Sequence, residues 1–128
     1  MNGIPPGPIA PEEAQAFARE WIDAWNSHDV ARILGHYAED IEFTSPFVAA
    51  IVGEASGTLR GKAALAEYFS KGLPRYPDLH FRLRAVLAGV RSVTVYYESV
   101  NNLDAAEVME LDGQGRVVRA QCHYAPRR

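Results

Sequence analysis

The sequence predicts an α+β domain, with helices leading the chain and an antiparallel meander closing it. Three observations carry this expectation. Apolar residues recur at helical spacing from Ala14 to Trp25 and again from Ala64 to Phe69. From Asp78 onward they alternate with polar ones, as in L-H-F-R-L-R at 79–84 and S-V-T-V-Y-Y-E at 92–98. Asp112-Gly113-Gln114-Gly115 then supplies turn chemistry for a hairpin between two further alternating runs. Three helices packed on the concave face of a strongly curved, mainly antiparallel sheet would bury all of these apolar faces.

Residues 1–10 carry prolines and glycines without a basic end or a continuous apolar run, so they read as a mobile lead-in and not as a secretory signal. Residues 11–128 read as a single domain. Pro11-Glu12-Glu13 starts the first helix, with proline where no amide donor is needed and acids at the positive dipole end. Phe17, Trp21 and Trp25 continue its apolar stripe. Asp29 caps a second helix in which Ile33, Leu34 and Tyr37 face inward. Residues 41–47 read as a strand ending at Pro46, with Ile41, Phe43 and Ser45 on one face. Residues 48–60 read as a loop over a pocket. Gly61 to Lys71 forms the third helix, burying Leu65, Tyr68 and Phe69.

In the meander, Leu79, Phe81 and Leu83 oppose His80, Arg82 and Arg84, and Val93, Val95 and Tyr97 share the next inner face. In the final hairpin Glu107, Met109 and Leu111 share one face, and Val118, Ala120, Cys122 and Tyr124 share the facing one. Stacked on the same side of the sheet, they put one carboxylate, Glu107, among apolar neighbours and opposite the small Ala120 and Cys122. Burial without a cation raises a carboxyl pKa, which makes Glu107 the candidate general acid/base. The bland alternatives are a side chain solvated at the rim, one paired with an arginine, or a one-residue slip that puts Glu110 in its place.

Trp21, Trp25, Phe43, Ser45, Tyr68, Met109, Ala120, Cys122 and Tyr124 are the candidate ligand-lining residues. For the two tryptophans plain core is the competing role, and for Ser45 it is satisfaction of the backbone before Pro46.

Charge and composition narrow the class. A formal net charge of −3 in 128 residues leaves no basic footprint for nucleic acid, and no apolar run is long enough to span a membrane. The single cysteine permits no intrachain disulfide and suits a reducing cytoplasm. The four histidines follow no metal-ligand spacing. Cys122 and His123, adjacent on a strand, point to opposite faces and cannot act as a nucleophile–base pair.

W-N-S-H-D at 25–29, H-Y-A-E-D at 36–40, I-E-F-T-S-P at 41–46, G-K-A-A-L-A-E-Y-F at 61–69, P-D-L-H-F at 77–81 and D-G-Q-G-R-V-V at 112–118 together resemble a SnoaL-like polyketide-cyclase domain of the nuclear transport factor two-like superfamily. The resemblance covers about residues 11–125. It implies a cystatin-like cone with an apolar pocket, no metal or redox cofactor, and a homodimer through the outer sheet face. Ketosteroid isomerases of that superfamily work with a carboxylate base and two oxyanion donors, a tyrosine and a protonated acid. Matched through the same landmarks, the base falls on Ser45, the tyrosine on Trp21 and the protonated acid on Glu107. Only the last keeps its chemistry. The resemblance therefore implies a cofactor-independent cyclase, isomerase or dehydratase acting on an apolar, oxygenated molecule, polyketide- or steroid-like, through one buried acid. The other expectation it allows is a binding or dimerisation module without catalysis.

Overall fold

A computed structural model describes residues 8–127. Most of the anticipated lead-in, residues 1–7, lies outside the described residues. The elements run α1 (Pro11–Ser27), α2 (Val30–Leu34), β1 (Tyr37–Thr44), α3 (Pro46–Val52), β2 (Thr58–Arg60), α4 (Lys62–Gly72), a 3-10 turn (Leu73–Arg75), β3 (Arg82–Ala88), β4 (Ser92–Glu98), β5 (Leu103–Leu111) and β6 (Val117–Pro126). One curved sheet of order β2-β1-β6-β5-β4-β3 holds all six strands, antiparallel except where β1 runs parallel to β6. The helices cover its inner face, α1 against β3 and α4 against β1 and β2. Among the described residues, no helix is long and apolar enough to cross a membrane.

The first helices follow their local signals. Pro11 occupies the first turn of α1 with Glu12 and Glu13 behind it. Asp29 caps α2, its carboxylate accepting from the amides of Ala31 and Arg32. Between them His28 turns the chain in the left-handed region at φ 62°. Its ring Nε2 lies 2.8 Å from the Leu79 carbonyl. The Asn26 carboxamide donates to the Phe81 carbonyl at 2.9 Å and accepts from the Phe81 amide at 2.6 Å. The W-N-S-H-D segment thus clasps residues 79–81 to the end of α1.

Four expectations need correction. Four α-helices form, not three, because Ser45-Pro46 begins a helix instead of merely ending a strand. The Ser45 hydroxyl accepts from the Phe47 amide as an N-cap, Pro46 takes the first turn, and Gly53 stops α3 at φ 78°. Residues 48–60 are therefore a helix and the edge strand β2, not a loop. β1 starts earlier than expected, at Tyr37. The strand expected from Leu79 begins only at Arg82, since His28 and Asn26 take up the backbone before it.

Two β-bulges account for the remaining facing error. In β6, Glu110 pairs with Arg119 but Leu111 pairs with Val117, so Val117 is buried where Val118 was expected. In β3 a second irregularity falls between Leu83 and Ala85, and Val86 becomes the next inward residue. Bulges re-aim side chains without leaving a periodicity in the sequence.

Candidate functional site

The inner face of the sheet is built in rows. Register pairs Phe43 with Ala120, Ala120 with Met109, and Met109 with Val93, an apolar row. The next row is polar in its middle: Glu107 faces Cys122 on one side and Val95 on the other. The parallel run of β1 along β6 brings Ser45 beside Cys122. The row beyond it is Tyr97, Ala105 and Tyr124. All these faces follow from strict alternation, and only the bulge at Val118 shifts them.

Glu107 is 3% exposed and Ser45 1%, and none of the described arginines reaches the carboxyl to neutralise it. The Tyr97 hydroxyl donates to Glu107 Oε1 at 3.1 Å. Oε2 is enclosed without a hydrogen bond from any described residue, although the Cys122 thiol stands beside it. Burial pushes the carboxyl up to about 7, against the smaller opposing pull of the Cys122 thiol and the Tyr97 hydroxyl. Near neutrality the group holds its proton about half the time, the condition under which one carboxyl serves as both acid and base. The same burial, reinforced by that carboxyl, drives Tyr37, Tyr97 and Cys122 well above their ordinary values. They stay neutral hydrogen-bonding groups.

Aromatic side chains fill most of the cone. Trp21 is fully buried, lies 5.3 Å from Tyr97 between ring centroids, and donates its indole N–H to the Tyr37 hydroxyl at 3.1 Å. Trp25 packs on Phe69 at 4.7 Å, and Phe43 packs on Tyr68 at 5.6 Å. What remains open is a chamber of about 70 Å³ at the end of the sheet where β4 and β6 finish. That is about half the roughly 150 Å³ that accommodates benzene in an engineered cavity. Trp25, Tyr68 and Tyr124 line it, joined by Phe47 and Ile51 of α3 and by Tyr76. The Trp25 indole N–H is buried and makes no well-formed hydrogen bond to any described residue, although the Tyr37 hydroxyl stands near it.

Of the residues singled out in the sequence, Trp25, Tyr68 and Tyr124 meet at this chamber. Trp21, Phe43, Ser45, Met109, Ala120, Cys122 and Glu107 face the same interior but lie deeper, outside its wall. The carboxyl sits one row below Tyr124, with the small Ala105 and Cys122 between. As the side chains stand, a polycyclic ligand does not fit, and Glu107 does not touch the open space. Phe47, Ile51 and Tyr76 escaped the sequence reading. Ser45-Pro46 before an apolar run was an available helix signal for the first two. Tyr76, between Pro74 and Pro77, had none.

Among the described residues, no three His, Cys, Asp or Glu side chains group closely enough to hold a metal ion.

A model of the SnoaL-like domain family matches residues 18–125. The chain belongs to this family. A SnoaL-like protein of unknown function from Burkholderia thailandensis shares 48% identity with this SnoaL-like domain, at a TM-score of 0.88 over 92% of this chain and 98% of that one. A candidate ketosteroid isomerase from Kribbella flavida superposes with TM-score 0.68 at 21% identity, covering 91% of this chain and 81% of that one. The epoxide hydrolase/cyclase-like enzyme SalBIII, linked to pyran ring formation in the polyether salinomycin, superposes with TM-score 0.70 at 18% identity, covering 89% and 92%. At these last two identities the likeness is one of fold. None of the curated proteins matches the chain.

Proposed function

We propose that this SnoaL-like domain binds a small, apolar, oxygen-bearing molecule at the mouth of its cone and acts on it by cofactor-independent acid/base chemistry of the isomerase, cyclase or lyase type. The observation that carries the reading is Glu107: an enclosed carboxyl balanced near neutral pH, with one oxygen held by Tyr97 and the other beside only the Cys122 thiol among the described residues. A ligand oxygen that passes over Ala105 and Cys122, as the side chains between chamber and carboxyl give way, meets that carboxyl. Candidate isomerases and cyclase-like enzymes among the fold neighbours support the reaction class.

The test begins with protein purified from its own host and native mass spectrometry to find a retained molecule. Glu107→Gln is expected to keep that molecule bound while its turnover falls by about 100-fold or more, the usual worth of a general acid/base. Equal turnover by the variant would end the catalytic role. One observation favours a second reading, a binding module without catalysis: Glu107 lies outside the chamber wall. That reading expects the molecule to be retained unchanged by both proteins.

The partner we propose is a second copy of the chain. On the outer face Arg60, Glu42, Arg119 and Glu110 form an ion-paired row across β2, β1, β6 and β5. Arg84, Glu98, Arg127 and Asp104 form another at the far end. Each row balances its own charge, and between them lies an uncharged band including Thr94, Tyr96, Ala106 and Val108. Such a band suits the face of an identical copy better than water alone. Sedimentation equilibrium is expected to give a dimer that Val108→Glu converts to monomer; a monomeric parent protein would dismiss the interface.

A further inference from the structure

The chamber is not an isolated hole. Its outer wall is shared with a larger, polar crevice of about 280 Å³: Tyr76, Leu79, Ser99 and Val100 border both spaces. Tyr76 stands at the junction, its ring 6.4 Å from Phe47 on the chamber side. Its hydroxyl accepts from the Asn101 carboxamide at 3.4 Å on the crevice side. An amphipathic side chain placed this way divides an apolar compartment from a wet one.

The crevice is lined beyond these four by Arg75, Pro77, Asp78, His80 and Asn101. Among the described residues, none of its three ionisable groups takes part in an ion pair. Guanidinium, imidazole and carboxamide together supply several hydrogen-bond donors against one carboxylate, Asp78.

Both sides of the crevice are held in place. The Leu79 carbonyl is bound by the His28 ring, and Asn26 grips Phe81 through both its backbone groups. Opposite, the β4–β5 turn is closed by the Ser99 amide to the Leu103 carbonyl at 2.7 Å, with Asn101 in the left-handed region at φ 57°. A fixed backbone beneath exposed donor side chains limits the freedom lost when a ligand arrives to that of the side chains themselves.

We propose that chamber and crevice form one two-part site for an amphipathic small molecule. A short, mainly hydrocarbon end, carrying at most the one oxygen that Glu107 addresses, fills the chamber, and a singly charged, acceptor-rich head, a carboxylate in the simplest case, lies among Arg75, His80 and Asn101. The chamber's size restricts the buried end to a few carbon atoms. Asp78 on the same rim disfavours a doubly charged head, such as a phosphate, through like-charge repulsion. This assignment rests on the chamber being a ligand site, as proposed above.

The test uses amide and indole NMR shifts of the full chain with three probes: hexanoate, hexylammonium and 1-propanol. Hexanoate is expected to move the Trp25 indole signal and the Arg75, His80 and Asn101 amides along one saturation curve. Hexylammonium should bind at least about fivefold more weakly, the scale of an exposed charge contact. Arg75→Ala should weaken hexanoate by a similar factor and leave 1-propanol unchanged. Asn101→Gly, which keeps the left-handed turn while removing the carboxamide, should do the same.

Equal affinity for hexanoate and hexylammonium overturns the proposal. So does an unmoved set of crevice amides, or an Arg75→Ala effect that is the same on hexanoate and 1-propanol. In each of those cases a 1-propanol shift at Trp25 leaves the chamber standing as a ligand site. Silence of Trp25 toward all three probes removes both.

Discussion

Raising the pH from 5 to 9 is expected to destabilise the protein by about 3 kcal/mol through Glu107 alone, and Glu107→Gln to abolish that loss. The carboxyl titrates near 4.5 when unfolded and at about 7 when folded. Between those values the folded chain holds a proton that the unfolded chain has released, so stability falls as pH rises. The contribution is fully present below about 4.5 and gone once the folded pKa is passed, and about 1.36 kcal/mol per pKa unit sets the size. Glutamine keeps the shape and can still accept from Tyr97, yet has no charge to bury.

Burial lowers the pKa of His36 despite the nearby Glu20, so its effect runs the other way and adds stability as pH rises past the imidazole range. The groups that feel Glu107, which are Tyr37, Tyr68, Tyr97, Cys122 and Tyr124, are all pushed upward. In the folded chain they do not titrate in this window, and the loss that the Cys122 thiol adds near pH 9, where it ionises only when unfolded, is common to parent and variant. Urea denaturation at pH 5, 7 and 9 reads the difference; parallel pH profiles for parent and variant would mean the carboxyl is not enclosed as described.

Trp21→Ala is expected to cost about 4 kcal/mol, a large share of the total stability of a domain this size. Trp21 is fully buried and packs on Trp25, Phe81 and Tyr97, with ring centroids 6.1, 6.1 and 5.3 Å away. Its removal empties the centre of the cone and takes the donor from the Tyr37 hydroxyl. Trp21→Phe keeps most of the packing and loses mainly that bond, for about 1 to 2 kcal/mol, and remains readable should the alanine variant not fold. Trp25→Ala, at a partly exposed position on the chamber wall, should cost less and enlarge the chamber. Equal losses at the two tryptophans would contradict this division between core and wall.

Tryptophans 21 and 25 also show where sequence reading stops. Their helical spacing was enough to place both on the inner stripe of α1. It could not say that one is sealed core bonded to Tyr37 and the other half-open wall, because that depends on Phe81 and Tyr97, some sixty or more positions away. Glu107 behaved similarly. Alternation along β5 and the turn at Asp112 were sufficient to aim it inward among apolar neighbours. Its separation from the chamber by Ala105, Cys122 and Tyr124 is a product of packing. The landmarks between residues 25 and 118 were likewise enough for the family, since caps, turn residues and alternation are local and survive in order.

What the amino-acid order determined, then, was the α+β class, the helix starts at Pro11 and Asp29, the inward strands, and the single acid on the inner face. Each rests on a period or a turn that neighbouring residues impose on one another. The tertiary structure decided the bulges that bring Val117 and Val86 inward, the place of Tyr76 on the chamber wall, and how little of the cone stays open. These are settled by which side chains arrive from distant strands to fill a shared volume, and close packing has no signature in any one segment.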